Sequence, residues 1–161
     1  MKILSGKEQE EADFYLHLAA KIAESSPCLR SRCGAVIVGK DRLLGEGYNA
    51  PPLDERLQEC RKDCLPPNFR SDKTCCIHAE QRAIMDALRR SPEEVLGARL
   101  YFIRLDDAGE MKKAGRPYCT ICSKMALDAG LAEFVLWHEE GITVYDTKEY
   151  NALSFQAGSS F

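Results

Sequence analysis

His78 and Glu80 stand two residues apart in Cys75-Cys76-Ile77-His78-Ala79-Glu80. Cys119 and Cys122 stand three apart in Pro117-Tyr118-Cys119-Thr120-Ile121-Cys122. One imidazole and two thiolates make a donor set that suits zinc. Three protein ligands leave one position of a tetrahedral ion open to water, which is the catalytic pattern, whereas structural zinc takes four. An open zinc site lowers the pKa of water to about 7 and so supplies a nucleophile. Glu80 is near enough to handle protons without binding the metal. Taken alone, a Cys-x-x-Cys is often half of a structural site and a His-Ala-Glu means little. It is the pair that points to hydrolysis, with His78, Cys119 and Cys122 as ligands and Glu80 as the catalytic proton carrier.

These residues need elements to bring them together. Periodicity predicts a helix over 8–25, with Tyr15, Leu18, Ala19 and Ile22 on one face and Pro27 beyond its end. Two apolar runs, 33–39 and 43–49, read as a hairpin. A second helix over 78–90 carries Ala79, Ala83, Ile84, Ala87 and Leu88 on one face. It opens on His78. A strand over 98–105 and a polar loop over 106–116 lead to a third helix over 119–129. Cys119 and Cys122 share a face at its start, and Gly130 is its cap. Strands at 132–137 and 142–145 are joined so tightly by Glu139-Glu140-Gly141 that they must be antiparallel if they pair. The tail from Asp146 is expected to hold one helical turn and a packed or frayed end. The order gives an α/β fold, a three-layer α/β/α sandwich around a mixed five-stranded sheet. Helix starts beyond the carboxyl ends of strands are where sites assemble in such folds, and their positive dipole ends favour thiolate.

The chain has 161 residues, enough for one domain with a sizeable core, and residues 1–161 are read as such a domain. Apolar residues at 45% and charged residues at 29% are ordinary for a globular protein. The net charge of −3 argues against a nucleic-acid partner, which calls for a basic face, but leaves room for a small anionic substrate. No apolar run reaches the roughly 18 residues of a membrane span, and the first residues lack a signal-peptide core. A cytoplasmic location is therefore expected, and the eight cysteines are read as metal ligands or reduced thiols. Residues 50–76 form a cysteine-rich insert without a clean period, holding Pro51, Pro52, Pro66 and Pro67. A segment of that kind is usually functional or tied down. Cys33 is expected to pack as a small hydrophobe in its strand.

His-x-Glu followed by a distant Cys-x-x-Cys resembles the signature of zinc-dependent nucleobase deaminases. The chain resembles the cytidine and deoxycytidylate deaminase superfamily over roughly residues 8–145. Further segments carry the likeness: Cys33-Gly34-Ala35-Val36-Ile37-Val38, Gly45-Glu46-Gly47-Tyr48-Asn49-Ala50 and Ala129-Gly130-Leu131-Ala132-Glu133-Phe134-Val135. The resemblance implies attack at C4 of cytosine to give uracil and ammonia. It also implies Asn49 and Ala79 as substrate contacts, and a homo-oligomer. It is nearest to the deoxycytidylate branch, which carries a cysteine-bearing insert of this kind. Some members hold a second, structural zinc there, so Cys28, Cys60, Cys64 and Cys75 (or Cys76 in place of Cys75) are candidate ligands of a second ion. Reduced thiols are the other reading of these cysteines, and a turn residue is the other reading of Asn49.

Two features depart from the pattern. Tyr118 separates the proline from the first zinc cysteine. The short link between the last two strands is similar to the free-cytidine branch instead. The expected substrate is dCMP or CMP. Other readings are a deaminase of another base (adenine in RNA, or guanine) and a zinc-stabilised nucleotide-binding domain without activity, against which Glu80 counts. Arg30, Arg32, Arg61 and Arg70 are candidate phosphate contacts, although solvated surface charge is the ordinary role of such residues.

Overall fold

The structure is a computed structural model in which residues 1–66 and 74–157 are described. The chain runs β1 (Lys2–Ile3), α1 (Gly6–Ala23), β2 (Cys33–Gly39), β3 (Arg42–Tyr48), α2 (Ala79–Arg90), β4 (Arg99–Leu105), β5 (Met111–Lys112), α3 (Thr120–Asp128), β6 (Glu133–His138), β7 (Gly141–Asp146) and α4 (Thr147–Gln156). The sheet order is β1-β7-β6-β4-β2-β3, with β5 on β4. Among the described residues only β4 and β6 run parallel; every other pair is antiparallel. The five expected strands are present. Two strands of two residues each, β1 and β5, raise the count to seven and are too short to show a period-two pattern.

Alternation along each strand divides the core. Ala35, Ile37, Leu100, Phe134, Leu136 and Tyr145 face α2, α3 and α4. Val36, Val38, Tyr101, Ile103, Val135 and Val144 face α1. Successive strand side chains point to opposite faces, so one strand seals both layers. The helix layers are therefore unequal, with three helices on the first face and one on the second.

Close backbone approach sets the helices on the sheet. A Cβ at Gly34 would fall 1.9 Å from the Ala19 carbonyl oxygen, so α1 rests on bare β2 backbone. A Cβ at Gly47 would fall 2.5 Å from the Ala83 nitrogen and 2.6 Å from the Ala79 oxygen, so the first turns of α2 rest on β3. The buried face of α1 is Ala12, Tyr15, Leu16, Ala19 and Ala23; Leu18 and Ile22 lie at its margin. Ala19 and Ala23, the residues of this face that meet Gly34, are small because the close backbone approach leaves little room there. In α2, Leu88 lies 41% exposed, just outside the face set by Ala83, Ile84 and Ala87.

The tail differs from expectation. Asp146 Oδ1 accepts from the Lys148 and Glu149 backbone N–H groups at 2.9 and 3.3 Å and starts a ten-residue helix, α4. Its buried positions are Thr147, Tyr150 and Ser154. Polar side chains at core-facing positions hide the helical period. Tyr150 stacks on Phe134 with ring centroids 4.0 Å apart.

Candidate active site

His78 is the residue before α2, and its backbone N–H donates to Gln81 Oε1 at 3.1 Å. Cys119 is the residue before α3, and its Sγ accepts from the Cys122 backbone N–H at 3.2 Å. Both helix starts lie on the same side of the sheet, so their side chains converge. His78 Nδ1 is 3.3 Å from Cys119 Sγ and 3.2 Å from Cys122 Sγ, and the two sulfurs are 2.7 Å apart. The three donor atoms all lie within 4.8 Å of one another and form the one such group among the described residues. One nitrogen and two sulfurs at two helix starts, with no further protein donor, fit a zinc ion that keeps an open position.

Electrostatics separates the roles of the three donors. A hydrogen bond from Cys122, aided by His78, holds the Cys119 thiol down to about 4. The neighbouring Cys119 sulfur and burial push Cys122 up. The hydrogen bond to Cys119 raises His78 against the opposing effect of its own burial. Without metal the group thus holds a thiolate, a thiol and an imidazole that favours its proton. A dication would displace those protons.

Glu80 belongs to the first turn of α2 and is 6% exposed. Burial raises its carboxyl above the usual carboxylate range, with His78 pulling the other way and Cys119 adding to the rise. It lines the same cavity of about 400 Å³ as His78 and Cys119. A carboxyl with a raised pKa beside a metal-ligand cluster is suited to taking and returning a proton near neutral pH.

Asn49 and Ala79 also line this cavity. Asn49 is buried, and its side chain is largely committed. Its Oδ1 accepts from the Cys33 N–H at 2.7 Å and from Ser26 Oγ at 2.8 Å, and its Nδ2 donates to the Ser31 carbonyl at 2.9 Å. The Asn49 side chain also hydrogen-bonds the Cys28 sulfur, so both of its amide atoms are engaged within the protein. Tyr118 stands at the cavity wall with 71% of its surface exposed. Cys33 packs against the core, as expected, and also lines the cavity, where burial raises its thiol.

The insert is tied at both ends. Ala50 and Ile77 exchange two backbone hydrogen bonds, at 3.2 and 2.8 Å. Arg82 of α2 reaches Asp54 Oδ1 at 2.8 Å and the Pro51 carbonyl at 2.9 Å, and lies over the Tyr48 ring. The four candidate ligands of a second ion, Cys28, Cys60, Cys64 and Cys75, are not gathered into one donor group among the described residues. Cys28 instead bonds to Cys76, which holds its thiol down to about 5. Cys75 Sγ lies 3.8 Å from Cys76 Sγ and also meets Cys60, while Cys64 is exposed and outside the cavity wall.

Among the candidate arginines, Arg30 lines the cavity and pairs with Asp63 at 2.9 Å, whereas Arg32 and Arg61 do not line it. Arg70 lies outside the described residues. Sequence reasoning missed Tyr150, Arg104 and Arg116, all of which line the cavity. For Arg104 a signal exists: it shares the strand face of Phe102, opposite Ile103 and Leu105.

Comparison with known proteins agrees with this geometry. Residues 9–138 match the model of the cytidine and deoxycytidylate deaminase zinc-binding region. The deoxycytidylate deaminase of Mycobacterium phage D29 is 30% identical over 131 residues, covering 76% of this chain and 91% of the relative. The deoxycytidylate deaminase of Saccharomyces cerevisiae is 33% identical over 102 residues, and the chain covers only 32% of that longer relative. The dCMP deaminase of cyanophage S-TIM5, solved in complex with dCMP and dUMP, aligns with a TM-score of 0.54 and 25% identity over 81% of this chain and 82% of that one. With the match spanning both zinc motifs, the chain belongs to the cytidine and deoxycytidylate deaminase zinc-binding family.

Proposed function

We propose that the chain catalyses zinc-dependent hydrolytic deamination of a cytosine nucleotide, dCMP or CMP, with Glu80 as the proton carrier. The observation that carries this reading is the buried Glu80 carboxyl beside the His78, Cys119 and Cys122 donors in one cavity. The names of the phage and yeast relatives support the deoxycytidylate substrate, as does the complex of the cyanophage enzyme with dCMP and dUMP.

Bound zinc supplies an acidified water as the nucleophile. The chain's own groups do the rest. Glu80 takes one proton from water at its carboxylate and gives it to ring N3, then takes the second proton from the oxygen now bound to C4 and gives it to the departing amine. The water oxygen ends on C4 and ammonia leaves, so cytosine and water become uracil and ammonia. Asn49, held in place by its bonds to residues 26–33, borders the sugar, and the Ala79 backbone at the start of α2 borders the base. The described residues share one sheet, which supports one catalytic domain over 1–161 with an insert at 50–76. A homo-oligomer and a cytoplasmic location complete the reading; no helix among the described residues is long and apolar enough to cross a membrane.

The test is ammonia release and absorbance loss from zinc-loaded protein offered cytidine, deoxycytidine, CMP and dCMP. Turnover of dCMP or CMP is expected. Absence of turnover on all four sinks the proposal.

A further inference from the structure

The cavity that holds the zinc group is cationic although the chain is not. Arg30, Lys62, Arg104, Lys113 and Arg116 line it, and Glu80 is the one carboxylate among the described lining residues. The whole sequence carries a net charge of −3, so this positive lining is local. A cytosine nucleoside offers it no charge to meet, whereas a 5′-phosphate does.

The five cations are not equivalent. Arg30 is engaged by Asp63 at 2.9 Å, and Lys113 by Glu139 at 2.5 Å with its Nζ also over the Trp137 ring. Arg104 and Arg116 pair with no carboxylate among the described residues. Arg104 stands near the end of β4, paired with Cys33 of β2 and Lys112 of β5, on the strand face that also presents Phe102 to the cavity. Arg116 lies three residues before Cys119, on the run that enters α3. Both arginines therefore belong to the wall built from β4 and the approach to α3. Arg30 and Lys62 belong to the wall built by the insert and the segment before β2. A guanidinium meets phosphate oxygens through two parallel N–H bonds, while an ammonium acts as a point charge.

We propose that Arg104 and Arg116 form the subsite for the 5′-phosphate and so make the enzyme select nucleotide over nucleoside. This inference rests on the cytosine-deaminase reading of the same cavity. The phosphate is assigned to the β4 wall because neither of its arginines pairs with a carboxylate among the described residues, Arg104 reaching the Cys33 thiol instead, and because that wall runs directly into the segment that carries the zinc cysteines.

The experiment compares steady-state kinetics on dCMP and deoxycytidine for the zinc-loaded full chain, Arg104→Gln, Arg116→Gln, the double variant and Lys62→Gln. Each arginine variant is expected to raise KM for dCMP by about 10- to 100-fold, the range for losing a hydrogen bond to a charged group, while kcat changes far less. The preference for dCMP over deoxycytidine should collapse in the double variant. Inorganic phosphate should compete with dCMP in the parent protein and compete weakly in the double variant. Arg104→Lys should restore part of the preference, a rescue that a merely structural role would not give, and melting curves check that each variant folds. The inference is overturned if the double variant keeps the preference, if both substrates suffer alike, or if Lys62→Gln alone abolishes the preference. It is also overturned, with the function standing, if the parent protein turns over deoxycytidine as well as dCMP. Failure of the parent protein on every cytosine compound instead removes the deaminase reading itself.

Discussion

His78 Nδ1 lies 3.2 Å from Cys122 Sγ although 44 residues separate them in the chain. The approach follows from two helices, α2 and α3, packing on one sheet face with their first residues on the same side. Those N-terminal ends carry positive partial charge, which favours thiolate and helps hold a bound hydroxyl. The site is thus specified by where two helices begin, and any change that shifts either start should be felt at the metal.

Glu80→Gln should keep zinc and lose turnover. The glutamine matches the carboxyl in shape but cannot carry the proton, so kcat should fall by about 10²- to 10⁴-fold with metal content unchanged. Thermal stability should hold or rise, because the buried carboxyl is disfavoured in its charged form. Metal analysis and ammonia release decide the matter; loss of zinc would make Glu80 a ligand instead of a proton carrier.

Gly47→Ala should damage the metal site from a distance. The added Cβ would stand 2.5 Å from the Ala83 nitrogen and 2.6 Å from the Ala79 oxygen, both backbone atoms that cannot step aside singly. Overpacking of this kind costs about 1–3 kcal/mol. The start of α2 should shift with His78, so a lower melting temperature and weaker zinc affinity are expected together. Unchanged zinc affinity would show that β3 does not position His78.

Asn49→Ala should cost stability as well as binding. It removes partners from the Cys33 N–H, Ser26 Oγ and the Ser31 carbonyl. Leaving buried polar groups unpaired costs about 1–3 kcal/mol. Denaturant unfolding should show that loss without substrate present, and KM should rise in addition. Full stability with only KM raised would mean that the hydrogen bonds contribute little and Asn49 serves the ligand alone.

Zinc affinity should rise with pH. In the metal-free site His78 is raised, so it favours its proton, and Cys122 is raised and stays a thiol, while Cys119 at about 4 is already ionised at neutral pH. Zinc binds the deprotonated forms, so binding releases protons, and acid competes with the metal. Each displaced proton makes apparent affinity fall about tenfold per unit of pH below the pKa concerned. Titration calorimetry in buffers of different ionisation enthalpy reads the proton count directly. A pH-independent affinity would contradict the assignment of these ligands. A chelator should lower the melting temperature, and added zinc should restore it.

Much of the fold was legible. The apolar run at 33–39 and the apolar face of 78–90 predicted elements that the structure places within one or two residues. The ten residues of α4 were not legible, because Thr147, Tyr150 and Ser154 face the core in place of aliphatic residues. Nor were β1 and β5, which owe their existence to the neighbours they pair with, Val144 and Thr143 for β1, Arg104 and Leu105 for β5.

The sequence by itself determined the chemistry. A histidine, a glutamate and two cysteines at those spacings, each motif opening a helix, point to a zinc donor set and to the proposed proton carrier, because spacing of two and three residues is fixed by local backbone geometry. What only the tertiary structure decided is which distant residues share the cavity. It placed Arg104 and Arg116 in the wall of the cavity that His78 and Cys119 also line, left Cys64 outside, linked Cys28 to Cys76, and showed that Asn49 spends its hydrogen bonds on its own surroundings. Local spacing cannot reach these facts, since they depend on how strands and helices are ordered and stacked, and that order is settled by burial on both faces of one sheet.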